Sequence, residues 1–144
     1  MTLVERAKQL AERAHAGQVD KAGRPYIEHV ARVAAAVAAD TQAEAVAWLH
    51  DVWEDSPEFN GGRLPEEAPR AVVFAVQNLN RHNSKDAESY YAVIRQNPLA
   101  LRVKLADITD NADESRLALL DEKTAARLRK KYAHAKEQLL RPNA

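Results

Sequence analysis

"AVAWLHDVWED", residues 45–55, decides both the fold class and where chemistry is to be sought. Its opening, Ala45 to Leu49, is continuously apolar and suits a helix inside a core. On a helix, residues three and four apart share a face. His50 and Glu54 are four apart, Asp51 and Glu54 three, and Asp51 and Asp55 four, so these residues form one polar patch. Trp48, Leu49, Val52 and Trp53 border it with apolar surface, which sets the patch at least partly in the interior. Clustered carboxylates in such a place repel one another and lose hydration. A divalent cation relieves both penalties, so the stretch reads as one wall of a metal site.

Outward from this helix, the chain is a series of helices separated by short breaks. Residues 2–16 carry Val4, Ala7, Leu10, Ala11 and Ala14 at helical spacing, and Gly17 closes the stretch. "QVDKAGR" is a polar loop leading to Pro25, a residue suited to a first helical turn. Val30, Val33 and Val37 form one stripe on a helix over 26–39. Asp40 or Thr41 caps the next, which the pattern carries to about Glu54. "DSPEFNGGRLP" is the longest loop, and a lid and a plain connector are both open readings for residues 55–65, with Gly61-Gly62. Further helices are expected over about 66–79, 85–96, 98–113 and 121–140, with Asn97-Pro98 opening the third of these. No run alternates with period two in β-branched and aromatic residues. The expected class is all-α, a compact bundle of about seven helices, with residues 1–144 as one domain. Alanine is dense over 31–47, which lets helix axes approach closely.

Bulk properties exclude several classes. With no cysteine, thiolate metal sites, disulfides and Cys nucleophiles are ruled out. Lys+Arg and Asp+Glu balance at 21 each, against the basic excess of a general nucleic-acid binder, so no nucleic-acid partner is expected. The one basic concentration, Arg127, Arg129, Lys130, Lys131 and Lys136, reads first as a solvated helix face. Residues 1–20 hold Glu5, Arg6, Lys8, Glu12 and Arg13, so no signal-peptide core is present, and no apolar run reaches the length of about eighteen residues that suggests a span. A soluble, cytoplasmic protein with no membrane partner is the expectation.

A metal needs donors from elsewhere in the chain. In "PYIEHVARV", His29 lies near the apolar stripe rather than opposite it. In "LRVKLADITDN", Asp107 is two after Leu105, and Asn111 falls one turn later on the same face. His29, His50, Asp51 and Asp107 together make two imidazoles and two carboxylates. Mixed nitrogen and oxygen donors suit Mn2+, Fe2+, Co2+ or Zn2+ better than Ca2+.

Four motifs, "HAGQ" (15–18), "GRPYIEH" (23–29), "LHDVWED" (49–55) and "VKLADITDN" (103–111), occur in the order of the HD-domain metal phosphohydrolases. More narrowly, the chain resembles the alarmone-hydrolase half of the RelA/SpoT enzymes and the small stand-alone hydrolases related to them. The resemblance covers about residues 15–116. It implies that His29, His50, Asp51 and Asp107 ligate one divalent ion, usually Mn2+, and that Glu54 and Asp55 handle the attacking water. It implies that Lys21 is a basic residue of the substrate loop and that Asn111 contacts the nucleotide sugar. The implied substrate is a small phosphorylated nucleotide, and the implied activity is closest to a (p)ppGpp 3′-pyrophosphohydrolase. One position departs: the alarmone hydrolases carry an Arg-Lys pair in the loop, the Arg packed on guanine, where this chain has Asp20-Lys21. An aspartate cannot stack as a guanidinium does. Arg24, three residues beyond Lys21, is a candidate replacement cation.

Other readings stay open beside these. A nucleotidase or other phosphomonoesterase uses the same metal chemistry, and a non-enzymatic HD module binds metal and nucleotide without turnover. His15 is either a helix C-cap or a support to the site, and Tyr90 either lines the pocket or packs in the core. His82 and His134 read as surface histidines. Asp107 also has a plain partner available in Lys104, three residues back.

Overall fold

Polar side chains mark where the helices begin. Thr2, Asp40, Asp86, Asn97, Asp113 and Asp121 each accept a hydrogen bond from a backbone N–H two or three residues ahead. Each cap satisfies donors that the first helical turn leaves unpaired. In the computed structural model, which describes residues 1–55 and 68–142, they open α1 (Leu3–Ala14), α3 (Thr41–Leu49), α6 (Ala87–Arg95), α7 (Pro98–Asn111), α8 (Glu114–Leu117) and α9 (Glu122–Leu139). Pro25 and Pro69 precede α2 (Tyr26–Ala36) and α5 (Arg70–Leu79), and α4 is the single turn Val52–Asp55. A 3-10 turn, Arg81–Asn83, joins α5 to α6. No strand occurs among the described residues, and the class is all-α as expected. Nearly all of the 55–65 loop lies outside the described residues.

α3 is the hub. Ala43, Ala45, Val46, Ala47, Trp48 and Leu49 are all buried, so beyond its exposed first turn this helix is enclosed nearly all round rather than amphipathic. It packs against α1, α2, α5 and α7, and its alanines let those neighbours come close. Val30, Val33, Leu49, Val52, Val72, Val76, Ile94 and Val103 complete the main core. Truncating Leu49, fully buried, is expected to cost ~2–5 kcal/mol. A smaller apolar cluster, Leu117, Ala125 and Leu128 with Leu120 and Tyr132, ties α8 to α9.

The helices outnumber the expected seven for two local reasons. The helix anticipated over 41–54 stops at Leu49 and restarts at Val52. At the break, His50 Nδ1 lies 2.6 Å from the Ala47 carbonyl, an acceptor that an unbroken helix would offer to residue 51. The second is α8, which Asp113 caps where the pattern promised only a helix end. Elsewhere α2 ends at Ala36, three residues early, as the Val37 N–H bonds back to Ala34 and Ala35 in a tightened turn.

The loop between α1 and α2 is closed by its own backbone. Gly17 lies at φ +80, a left-handed position that favours glycine, just beyond the His15 cap. Asp20 Oδ1 accepts from the N–H groups of Ala22 and Arg24, each at 2.9 Å, and the Asp20 N–H donates to the Arg24 carbonyl at 2.8 Å. An Asx turn of this kind holds Lys21 at the loop tip.

Candidate metal centre

α2, α3 with its C-cap, and α7 converge on one point. His29, His50, Asp51 and Asp107 each present a donor atom, all within 4.8 Å of one another. His29 Nε2 is 2.9 Å from Asp107 Oδ1. His50 Nε2 is 3.0 Å from Asp51 Oδ2 and 3.4 Å from Asp107 Oδ1. The set is nearly sealed, with His29 and His50 each 3% exposed and Asp107 5%.

The imidazoles are arranged alike. His29 Nδ1 faces Asp110 Oδ2 at 2.7 Å, and His50 Nδ1 faces the Ala47 carbonyl at 2.6 Å. In both rings Nδ1 is the tied nitrogen and Nε2 is the one turned to the carboxylates. That is the ring orientation of a histidine that ligates through Nε2 and is held through Nδ1. The carboxylates are held as firmly. The Tyr26 hydroxyl donates to Asp51 Oδ2 at 2.6 Å. Lys104 Nζ donates to Asp107 Oδ2 at 3.1 Å, and Asn111 Nδ2 to Asp107 Oδ1 at 3.3 Å. The Lys104–Asp107 pair therefore exists, yet it occupies the oxygen turned away from the histidines.

The electrostatics of the cluster call for positive charge. Burial works to lower the His29 pKa, but hydrogen bonds to Asp107 and Asp110 outweigh it and push the imidazole up to about 9. His50 also rises well above its ordinary value: burial opposes, and the charge of Asp51 with the Asp107 contact prevails. Against burial, His50 holds Asp51 down to about 2, and Lys104 with both histidines keeps Asp107 well below the carboxylate range. A field that holds protons on two buried imidazoles attracts a cation equally, and ligation would replace those protons. Donor types, ring orientations and field all fit one divalent ion.

Glu54 and Asp55 sit on α4, the turn that follows. Asp51, Glu54 and Asp55 offer oxygens within 4.8 Å of one another. Glu54 Oε1 accepts the backbone N–H of Arg81 at 2.9 Å. Asp55 Oδ2 accepts from Gln18 Nε2 at 3.3 Å, and Gln18 Oε1 lies 2.8 Å from His15 Nδ1. His15 thus caps α1 and also supports the site through Gln18. Burial and the neighbouring Asp51 charge raise the Asp55 pKa, with the Gln18 bond opposing.

Two cavities flank the cluster. The larger, about 430 Å³, is lined by Lys21, Tyr26, His29, Asp55 and Asn111, with Leu117, Leu120, Leu128 and Tyr132 as an apolar wall. The smaller, about 190 Å³, borders Asp51, Glu54 and Asp107 and is lined also by Arg81, Lys104, Asn111 and Lys131. Lys21 and Asn111 are thereby brought to the site. Arg24 is not: its guanidinium pairs with Glu28 at 3.4 Å on the outer face, and it lines neither cavity. Tyr90 is core, the residue 2% exposed and its hydroxyl bonded to the Leu79 carbonyl at 3.0 Å.

Sequence reading passed over Asp110. It binds His29, and Arg32 and Arg116 each hold its Oδ1 at 2.8 Å. The available signal was its place one turn after Asp107, on the side of α7 nearest α2. Tyr26 and Gln18 lay inside the quoted motifs with no role attached.

No helix among the described residues is long and apolar enough to cross a membrane. No family model matches the chain. Curated proteins do. A guanosine-3′,5′-bis(diphosphate) 3′-pyrophosphohydrolase of Haemophilus influenzae is 33% identical over 116 residues, covering 71% of this chain and 17% of that protein. A GTP pyrophosphokinase of Streptomyces coelicolor is 29% identical over 120 residues, 75% of this chain and 14% of its own length. The bifunctional (p)ppGpp synthase/hydrolase RelA of Mycobacterium tuberculosis is 37% identical over 59 residues, 39% of this chain and 8% of its own. This chain spans less than a fifth of each of those proteins. Across most of its length, then, it is related to the RelA/SpoT-type (p)ppGpp hydrolase/synthetase proteins.

Proposed function

We propose that residues 1–144 are an HD-type domain that hydrolyses a small phosphorylated nucleotide with one divalent ion, Mn2+ first, and Fe2+, Co2+ or Zn2+ as alternatives. The reaction it most resembles is (p)ppGpp 3′-pyrophosphohydrolysis. The observation that carries this reading is the buried two-histidine, two-aspartate cluster with Glu54 and Asp55 one turn away. The activities named for the Haemophilus and Mycobacterium relatives favour the alarmone class.

His29, His50, Asp51 and Asp107 would hold the ion. Once bound, it supplies Lewis acidity toward a phosphoryl oxygen and lowers the pKa of a water. The chain's own residues do the rest. Glu54, anchored by the Arg81 N–H, and Asp55, anchored by Gln18, border the cluster and orient that water. Asp55, with its raised pKa, is suited to take up the proton. Tyr26 fixes the Asp51 carboxylate, so that group is not available as a base. Lys21 and Asn111 face the larger cavity, where the apolar wall of Leu117, Leu128 and Tyr132 suits a nucleoside.

One observation favours a second reading within the same chemistry. Asp20 spends its carboxylate on its own loop, so nothing at that position stacks on a guanine. A nucleotidase or phosphomonoesterase with a different base preference fits equally well there. A screen with Mn2+ and ppGpp, GTP, deoxynucleoside monophosphates and a generic phosphodiester, with products identified, separates the two. Release of intact pyrophosphate from ppGpp is the expected result. Turnover of monophosphates alone would replace the leading reading, and no turnover of any substrate with metal bound would leave a binding module.

A further inference from the structure

The smaller cavity has a basic wall that the metal centre does not account for. Arg81, Lys104 and Lys131 line it, opposite Asp51, Glu54 and Asp107. Lys104 is paired with Asp107. Arg81 and Lys131 have no acidic side chain within ion-pair distance among the described residues. Nor are they loosely placed. The Arg81 guanidinium lies 5.1 Å from the Tyr90 ring centroid, and the Lys104 ammonium lies 5.6 Å from the same ring. That ring is fixed by its hydroxyl bond to Leu79, and the Arg81 backbone is fixed by its N–H donation to Glu54. Lys131 reaches in from α9, over the Tyr132 ring at 5.7 Å. Desolvation at the wall, and then the positive charges of Arg81, Lys21, Lys104 and Arg127, hold its ammonium below the usual lysine value. The three carboxylates of this cavity belong to the metal centre and its flank, so the two unpaired cations can take an anion that enters.

We propose that Arg81 and Lys131 form a subsite for the phosphate or pyrophosphate group that is cleaved, adjoining the larger cavity that takes the nucleoside, with Lys131 on the border the two share. This rests on the phosphohydrolase reading. In ester hydrolysis the water oxygen joins phosphorus, the ester P–O bond breaks, and the departing alcohol oxygen gains a proton. The phosphoryl product keeps its negative charge beside the acidic wall of Asp51 and Glu54. Two cations facing that wall offset the repulsion while the ester is bound and as the product forms. Because Arg81 donates to Glu54 through its backbone and faces the cavity through its side chain, it registers the phosphoryl group against the carboxylate that orients the water.

The test uses the Mn2+-loaded full chain and inorganic phosphate as probe, titrated by calorimetry, with pyrophosphate as a second probe. Arg81→Ala and Lys131→Ala are each expected to weaken phosphate binding by about tenfold or more. Mn2+ uptake should be unchanged in both, and Arg24→Ala should bind phosphate as the parent does. Phosphate affinity unaltered in both variants overturns the subsite. Failure of the parent reading looks different. If phosphate binding depends on Arg81 but no nucleotide is turned over, the hydrolase reading falls and the subsite stands. If a nucleotide is hydrolysed with kcat and KM untouched by either substitution, the subsite falls and the hydrolase remains.

Discussion

His29, His50 and Asp107 are buried and Asp51 is nearly so, whereas Lys21, Arg81 and Lys131 are exposed. The first group is built from rigid helices around α3, and every donor has a fixed second partner. The second group hangs from a loop tip, a 3-10 turn and the cavity-facing edge of α9. The difference follows from cost. A buried charge is tolerated only when paired and hydrogen-bonded, so each donor of the metal centre constrains the others. An exposed cation costs little wherever it stands, so the substrate side is free to vary without endangering the fold.

The largest contrast is therefore expected between Asp107→Ala and Lys21→Ala. Removing Asp107 strands the buried Lys104 ammonium and both imidazoles. A loss of about 3–5 kcal/mol in denaturant unfolding is expected, with no metal uptake. Lys21→Ala should stay within about 0.5 kcal/mol and take up metal normally. Equal stability of the two variants would break the comparison.

Next in size is Glu54→Gln, which keeps the side chain's shape and its acceptor for the Arg81 N–H. Metal content should stay normal while turnover collapses by roughly 10²–10⁴-fold. Full activity would remove Glu54 from the chemistry. Asp110→Asn tests the outer ring of the metal half, because it leaves all four donors in place but weakens the hold on His29 Nδ1. Mn2+ affinity, read by direct titration, should fall about 10–100-fold. An unchanged affinity would mean that the ring is oriented by packing alone.

The metal half should also respond to pH in a way the cation half does not. In the metal-free protein, the His29 pKa is raised from 6.5 to about 9. Its stabilising contribution is fully present below 6.5 and lost as pH rises through 9. Asp51 is lowered from 3.8 to about 2, so its contribution is present above 3.8 and lost as pH falls through 2. Thermal unfolding of the metal-free chain should be highest between those limits and decline from pH 6.5 toward 9. The rise in Tm on adding Mn2+ should grow across the same interval, because ligation needs the neutral rings that alkaline pH supplies. A flat Tm between pH 6.5 and 9 without metal would contradict the ion pairs of His29.

What sequence reveals follows the same divide. His50, Asp51, Glu54 and Asp55 were legible because acids and an imidazole among tryptophans make no sense as plain packing. His29 and Asp107 stood out against apolar stripes, but their meeting across 78 residues is a tertiary fact. Asp110 was missed because one carboxylate near the end of α7 looks like any surface acid until Arg32 and Arg116 close on it. The α3–α4 break hangs on one side-chain contact of His50, and α8 has four residues, too few to show a period. Arg81 carried no local signal at all, since its value comes from the 3-10 turn meeting Glu54.

The smallest expected effect lies within one loop, between Lys21 and Arg24. Both are cations of one polar stretch ahead of His29, Lys21 matched by the family resemblance and Arg24 offered only as a replacement for the missing arginine. The Asx turn at Asp20 separates them, since it commits the Arg24 N–H inward and leaves its guanidinium beside Glu28 on the outer face. Lys21 stays at the mouth of the larger cavity. Arg24→Ala should therefore leave KM unchanged and alter stability by less than about 0.5 kcal/mol, the usual worth of an exposed i,i+4 pair. Lys21→Ala should raise KM several-fold for a phosphorylated nucleotide with little change in kcat, the pattern of a lost uniform binding contact. If Arg24→Ala raises KM as much as Lys21→Ala does, the loop must turn its other face to the substrate when one binds, and the Asp20 turn would have to open for it.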